Sequence, residues 1–327
     1  MKIGERAGFK KTLSNFKNKK ILVVGDLILD EFIWGNVSRI SPEAPVPVVW
    51  AKRESFMPGG ACNVANNISS LGAKAYIIGT VGNDEAGDTL KKELERSGIE
   101  TGGMIVERGR PTTLKTRVVA QNQQVVRIDK ENLDPLSGTV TAKLVDNVKR
   151  VIDQVDAVIL EDYGKGVVTP GLLSKVIPLA KASRTMIAVD PKEEHFYDYR
   201  GASLITPNQH EASKLAGFNI ADDAKLMKAG KRLLSALHCK MVLVTLGEKG
   251  MCLFQRGLKP RKIPTMAQEV YDVSGAGDTV IAVFTLAYVS GARPVAAARI
   301  ANCAAGIVVG KLGTAVVSPE ELLNRIC

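Results

Sequence analysis

Residues 157–190 read AVILEDYGKGVVTPGLLSKVIPLAKASRTMIAVD. A short apolar run, Ala157–Glu161, leads to a helix-like stretch at 170–182 and then to a second apolar run, Met186–Asp190. Two such strands joined by a helix form a crossover unit, and crossover units stack into a mostly parallel sheet with helices on both faces. The alternation continues outward in both directions. Strands are expected at Lys20–Gly25, Ala75–Val81, Leu204–Thr206, Met241–Leu246 and Met251–Phe254. Helices are expected near 62–71, 85–97, 138–153, 209–216 and 222–237, and beyond residue 276 near 277–289, 294–309 and 319–326. The expected fold is therefore α/β, with a mostly parallel central sheet flanked by helices on both faces, in a single domain over residues 1–327.

Two segments interrupt this rhythm. Residues 31–57 (EFIWGNVSRISPEAPVPVVWAKRESFM) and 103–130 (GMIVERGRPTTLKTRVVAQNQQVVRIDK) alternate apolar and polar positions, and neither has a helix of its own. Pro42, Pro45 and Pro47 suit edge or irregular strands. The two segments either pair into a small second sheet, a lid over a site, or form plain hairpins on the main sheet.

Composition narrows the class further. Of 327 residues, 45% are hydrophobic and 24% charged, with mean hydropathy +0.04, which excludes a disordered, collagen-like or membrane-embedded chain. Aromatic residues are only 5%, a balance that fits a helix-covered parallel sheet better than an antiparallel sandwich. The net charge of +10 invites a nucleic-acid partner, but seven Lys/Arg against Glu5 in residues 1–20 account for +6 of it. Phe9, Leu13 and Phe16 have helical spacing there, so a basic surface helix at about 5–18, docked by its apolar side, is expected rather than a nucleic-acid or membrane contact. The five cysteines form no CxxC pair and read as small core residues. The run Ile21–Val24 is too short for a signal or a membrane span, which points to a reducing, cytoplasmic setting.

The sharpest chemical signal is Val273-Ser274-Gly275-Ala276-Gly277-Asp278-Thr279, followed by an apolar run to Val289. A Gly-Ala-Gly turn feeding a helix N-terminus presents free N–H groups to an anion such as a phosphate. Asp278 does not bind phosphate itself; it is placed to take a proton from a hydroxyl that attacks phosphorus. The plain alternative is an Asp cap and a turn glycine. In Thr206-Pro207-Asn208-Gln209-His210-Glu211, Asn208 and Glu211 stand three apart at a helix start, where they serve either a Mg²⁺ shell or a helix cap. The turn Thr245-Leu246-Gly247-Glu248-Lys249-Gly250 ends a strand, a usual place for a nucleotide or a simple hairpin.

Near the start of the chain, Asp26, Asp30, Gly59, Gly60 and Asn63 combine carboxylates and an amide with backbone-exposing glycines, which suits polyol hydroxyls and equally suits turns and caps. Arg117, Arg127, Lys165 and Lys192, with Asp162, stand at or beside strand ends, either as solvated surface charges or as the lining of a pocket for an anionic substrate. The three histidines have no metal-ligand spacing.

Together these pieces resemble the ribokinase-like (PfkB) carbohydrate kinases over about residues 18–320. The resemblance rests on PGGACNVANNISSLGA, GTVGNDEAGDTL, TPNQHE, TLGEKG, Ala301–Gly306 and DVSGAGDT. Within that family, RISPEAPVPVV, TRVVAQNQQVVRID, EDYGKGVVTPGLL and VDPK are similar to the branch that uses ATP and Mg²⁺ to phosphorylate D-glycero-β-D-manno-heptose 7-phosphate at its anomeric hydroxyl, toward the lipopolysaccharide core. The resemblance implies Asp278 as the base and Gly275, Ala276 and Gly277 as the anion hole. It implies Asn208, Gln209, His210 and Glu211 at the Mg²⁺–phosphate region and Thr245, Gly247, Gly250 and Asn302 around ATP. It implies Asp26, Asp30, Gly59, Gly60 and Asn63 on the sugar, and a homodimer joined through the lid. Some relatives hold a monovalent cation beside this loop, where Asp272 lies. No HxGH motif is present, so the adenylyltransferase activity fused to this kinase in many bacteria is not expected. Another ribokinase-like substrate, or a non-catalytic nucleotide sensor or nucleic-acid binder, is the alternative; an intact Asp278 argues against the sensor.

Overall fold

The computed structural model describes residues 3–121, 123–267 and 269–326; Lys2, Asn122 and Cys327, on which expectations above partly fall, lie outside them. The chain runs α1 (Ile3–Ser14), β1 (Lys20–Gly25), β2 (Leu27–Ile40), β3 (Pro47–Gly60), α2 (Ala61–Ser70), β4 (Lys74–Gly82), α3 (Glu85–Arg96), β5 (Glu100–Glu107), β6 (Thr113–Ala120), β7 (Gln123–Lys130), α4 (Gly138–Val151) and β8 (Ala157–Glu161). It continues through α5 (Pro170–Ala182), β9 (Met186–Asp190), β10 (Leu204–Ile205), α6 (Gln209–Ala216), α7 (Asp223–Leu237), β11 (Met241–Thr245), β12 (Met251–Gln255), β13 (Arg261–Ile263), α8 (Ala276–Val289), α9 (Pro294–Val308) and α10 (Pro319–Ile326).

Among the described residues, nine strands form one sheet in the order β13-β12-β11-β10-β9-β8-β1-β4-β5. It is parallel from β11 to β5, with β12 and β13 added antiparallel at one edge. Side chains alternate between two cores. Along β1, Ile21 and Val23 enter one core, packed with α2, α8 and α9, while Leu22 and Val24 enter the other, packed with α4, α5 and α7. Helix α8 is apolar nearly all round because it lies inside one of these layers, with residues 278–287 buried. Strand order reverses between β1 and β8, so the crevice beyond the carboxyl ends of these strands is where such a sheet takes a ligand.

The second sheet has the order β3-β2-β6-β7. The segment expected at 31–57 is a long hairpin, β2–β3, that starts and ends further out, at Leu27 and Gly60. Pro47 opens β3, an edge strand, where a missing N–H is tolerated. The segment expected at 103–130 divides. Its first part is β5, which joins the main sheet parallel to β4 because α3 supplies the crossover; only β6 and β7 belong to the small sheet. At the N-terminus, α1 docks with Phe9 buried, and Phe16 is buried in a following 3₁₀ turn, Phe16–Asn18. Cys62, Cys239, Cys252 and Cys303 are buried free thiols. No described helix is long and apolar enough to cross a membrane.

Candidate active site

Gly275 adopts φ +74°, and a Cβ there would fall 2.5 Å from the Asn63 amide nitrogen, so the turn before α8 requires glycine. The turn places Asp278 in the first helical turn, only 2% exposed. Its carboxylate is held from both sides: Asn63 Nδ2 donates to Oδ2 at 2.7 Å and the Tyr163 hydroxyl donates to Oδ1 at 2.8 Å. Burial pushes the Asp278 carboxyl up to about 6, against the lowering effect of these two hydrogen bonds. Such a group is ionised at neutral pH and still basic enough to take up a proton.

Two cavities meet at this turn. One, of about 470 Å³, is bounded by Thr245, Gly247, Gly250, Asn302, Ala276 and Gly277. Asn302 Nδ2 donates to the Pro264 carbonyl at 2.6 Å and so fixes the segment that covers the cavity. The other, of about 320 Å³, has Gly275, Asp278, Asp30, Gly60 and Tyr163 in its wall. Five cations, Lys115, Arg117, Arg127, Lys165 and Lys192, also line it. The Gly275–Asp278 turn is thus shared, its Ala276 and Gly277 facing the first cavity and its Gly275 and Asp278 the second.

Behind the turn, oxygens of Glu161, Asp190 and Asp278 lie within 4.8 Å of one another. Both Glu161 carboxylate oxygens are buried, and among the described residues no N–H or alcohol O–H group donates to them; the Asp190 carboxyl is their polar neighbour. Burial first, then Asp190 and Asp278, raises Glu161 well above the carboxylate range, and burial with Glu211 and Asp278 pushes Asp190 up to about 8. The donor-free Glu161 oxygens, clustered with the Asp190 and Asp278 carboxylates, are a donor set that a hard dication satisfies, so the residues fit Mg²⁺.

Asn208 and Glu211, the positions expected for that metal, form a helix cap. Asn208 Oδ1 accepts the Glu211 N–H at 2.9 Å and Glu211 Oε2 accepts the Asn208 N–H at 2.9 Å, a reciprocal cap on α6. Gln209 donates to the Ile220 carbonyl, His210 is exposed, and none of the four lines either cavity. The capping chemistry of Asn and Glu at this spacing is satisfied locally, while the Glu211 charge still raises Asp190; the clustered carboxylates themselves come from the ends of β8 and β9 and the start of α8.

On the sugar side, Asp30 is buried in the cavity wall and takes Arg117 Nη1 at 2.5 Å; burial raises its carboxyl and Arg117 opposes this. Gly59 lies close behind it, since a Cβ there would fall 2.5 Å from Asp30 Oδ2. Gly60, at φ +54°, caps α2. Asn63 serves the Asp278 carboxylate instead of standing free for a sugar hydroxyl. Asp26 is fully engaged by backbone N–H groups and does not reach the cavity. Asp162 also turns away, accepting from the Tyr199 hydroxyl at 2.7 Å and lying 2.6 Å from His195 Nδ1. Among the cations, Lys115 pairs with Asp129 and Glu131, Arg127 with Asp129, and Lys165 with Glu131; Lys192 makes none of the ion pairs found among the described residues. Asp272 ties two loops, accepting the N–H groups of Ser274 (2.9 Å) and Gly313 (3.0 Å).

Tyr163, Glu161, Asp190 and Lys115 are the site residues that sequence reasoning missed. Glu161 and Asp190 are the last residues of two buried strands, the one signal that marked them.

The family described as pfkB family carbohydrate kinase matches residues 18–321. The chain is 46% identical over 314 residues to the bifunctional protein HldE of Desulfatibacillum aliphaticivorans, covering 96% of this chain and 64% of that protein. It is 44% identical over 310 residues to the bifunctional protein HldE of Helicobacter hepaticus, covering 95% and 64%. The chain therefore spans less than two thirds of the length of these curated relatives. Its fold is similar to that of Arabidopsis thaliana ribokinase complexed with ribose and ATP, with TM-score 0.75, 21% identity and coverage of 94% of this chain and 98% of that one. It is also similar to phosphofructokinase-2 from Escherichia coli, with TM-score 0.76, 19% identity and coverage of 94% and 98%. At these identities the two structures establish the fold, which is ribokinase-like.

Proposed function

The chain belongs to the pfkB family of carbohydrate kinases, phosphotransferases with an alcohol acceptor, and we propose that it transfers the γ-phosphoryl group of ATP to the anomeric hydroxyl of D-glycero-β-D-manno-heptose 7-phosphate. One observation carries the reading: the Gly275–Asp278 turn is the shared wall of two cavities, with a buried, hydrogen-bonded carboxylate at the junction. The larger cavity takes the nucleotide, and Thr245, Gly247, Gly250 and Asn302 bound it. The cation-lined cavity takes the sugar phosphate. Asp278 accepts the proton of the attacking hydroxyl while Asn63 and Tyr163 keep its oxygens oriented, and the N–H groups at the start of α8 receive the phosphoryl oxygens. Glu161 and Asp190 are the residues that would hold Mg²⁺, which would supply positive charge beside the transferred group.

A substrate that already carries a phosphate explains five cations in one small cavity. Guanidinium groups grip such an ester bidentately and lysines add point charge. Arg117 is engaged by Asp30, Arg127 by Asp129 and Lys165 by Glu131, so Lys192, which makes none of the ion pairs found among the described residues, is the best placed of the five to take the distal phosphate. The motifs shared with the heptose branch support this sugar and the lipopolysaccharide route, and a cytoplasmic setting goes with that route. Exposed Ile40, Trp50, Val126 and Ile128 on the small sheet, with Val46 in the β2–β3 turn, support a homodimer through the lid, which sedimentation of the wild type and a Trp50→Glu variant tests. Activation by K⁺ over Na⁺ tests a monovalent cation beside Asp272.

The decisive comparison is steady-state kinetics on the heptose with and without its 7-phosphate. The phosphorylated sugar is expected to be preferred at least tenfold in kcat/KM. Equal use of both, or preference for the free sugar, overturns the substrate assignment.

A further inference from the structure

Asp26 follows β1 directly, and its side chain turns away from the sugar cavity into the loop between β8 and α5. Its Oδ2 accepts the N–H groups of Tyr163 (2.8 Å) and Lys165 (3.1 Å), and its Oδ1 accepts the N–H of Val167 (3.0 Å). Three N–H groups on alternate residues of one loop therefore converge on one buried anion. The Asp26 backbone is tied as well: its N–H donates to the Glu161 carbonyl and its carbonyl accepts the N–H of Ala61 at the start of α2.

The loop so held has little stiffness of its own. Gly164 and Gly166 both sit at positive φ, +66° and +86°, where glycine is unrestrained. Yet two of its side chains face the sugar cavity. Tyr163 places its hydroxyl 2.8 Å from Asp278 Oδ1, and Lys165 reaches Glu131 at 2.7 Å beside the other cations. Further ties run from Arg110 Nη2 to the Lys165 carbonyl at 2.8 Å, from the Gly164 N–H to Asp162 Oδ1 at 2.9 Å and from the Leu136 N–H to the Gly166 carbonyl at 3.0 Å, but only Asp26 gathers three N–H groups of the loop on one side chain.

We propose that Asp26 is a positioning residue: through the backbone of residues 163–167 it sets the Tyr163 hydroxyl against Asp278 and the Lys165 ammonium over the sugar cavity, and so governs turnover and sugar-phosphate binding without touching substrate. The inference rests on the reading of Asp278 as the base and of the cation-lined cavity as the sugar site. It separates Asp26 from the nucleotide cavity, whose lining contains no residue of this loop.

The test is a kinetic cycle on the full chain with ATP, Mg²⁺ and heptose 7-phosphate. Asp26→Asn keeps the side-chain shape but turns an amide NH₂ toward N–H donors. It is expected to lower kcat about tenfold or more and to raise the KM for the sugar phosphate severalfold, with the KM for ATP within about twofold. Tyr163→Phe is expected to lower kcat with a much smaller change in sugar-phosphate KM. In the double variant the kcat losses should overlap instead of multiplying, because both act on one hydrogen bond. If Asp26→Asn does not fold, Gly164→Ala serves: its Cβ meets nothing closer than Lys192 Cγ at 3.8 Å, so it disturbs the loop only through φ, and the same split is expected. Unchanged kinetics in the folded variant, an equal rise in the KM for ATP, or kcat losses that multiply overturn the proposal. An inactive Asp278→Asn beside a fully active Asp26→Asn removes this inference alone; an active Asp278→Asn removes the base assignment itself.

Discussion

Replacing Asp278 by Asn separates two consequences of burying a carboxylate. Turnover should fall roughly 10²-fold or more, because the amide cannot take up the proton. Stability should move the other way as pH rises. The Asp278 carboxyl stands at about 6 in the folded chain against 3.8 as its ordinary value, chiefly through burial. The folded state thus holds the proton more tightly than the unfolded state, and the ionised carboxylate destabilises the wild type progressively between those two pH values. The full difference is about 3 kcal/mol, and about half of it falls between pH 5 and pH 8. Asn does not titrate, so the variant escapes this loss. It also carries a pH-independent penalty of about 1 kcal/mol, since two hydrogen bonds to a charged group become neutral ones, the amide oxygen accepting from Asn63 Nδ2 and the NH₂ donating to the Tyr163 hydroxyl. Net stability at any one pH is therefore less informative than the slope. Urea unfolding of both proteins in EDTA from pH 5 to pH 8 should show the variant gaining about 1.4 kcal/mol on the wild type as pH rises. The loss of the Asp278 charge also eases ionisation of Glu161 and Asp190, which adds to the same trend. A flat difference across this range, or a variant that turns over normally, refutes the reasoning.

Other perturbations probe separate parts. Glu161→Gln removes a buried carboxylate that no N–H or alcohol O–H group among the described residues supports, so the metal-free protein should be more stable at pH 8 while half-saturation with Mg²⁺ moves up about tenfold or more, read by denaturation and by metal titration of activity. Lys192→Ala should raise the KM for the sugar phosphate about tenfold to a hundredfold and leave the KM for ATP in place, as expected from losing a charged hydrogen bond of about 1.5–3 kcal/mol. Gly306→Ala should do the reverse, because its Cβ would press within 2.9 Å of the Ala267 nitrogen beside the nucleotide cavity; the KM for ATP is the readout. Removing residues 1–16 should lower stability by several kcal/mol, about 2 for each buried phenylalanine, with kcat and both KM values unchanged at 25 °C.

The alternation of apolar runs and helices made the parallel sheet readable, because strands buried on both faces leave continuous β-branched stretches such as Ala157–Glu161. The Gly-Ala-Gly turn was readable because its backbone demands glycine locally. Position 100–107 was not: its alternating pattern resembles that of the lid, and only the preceding helix assigns β5 to the main sheet. At Asn208 and Glu211 the sequence left two readings open, because a capping box and a metal-binding pair share residue types and spacing; the cap is formed, and the Glu211 charge still acts on Asp190 in the acidic cluster. Asp26 and Asp162 were placed by chain position near the site, but the loop N–H groups and Tyr199 claim them, which no local pattern reveals. The Glu161–Asp190–Asp278 cluster joins residues from three distant elements, a juxtaposition that exists only once β8, β9 and α8 are packed.

The account turns on where the new phosphate goes. Equimolar ATP and heptose 7-phosphate, incubated with the protein and Mg²⁺ and followed by ³¹P NMR, should yield ADP, the retained 7-phosphate resonance and one new ester resonance coupled to the anomeric proton. ADP with free phosphate and no new ester, or a new phosphate on any other sugar oxygen, contradicts it.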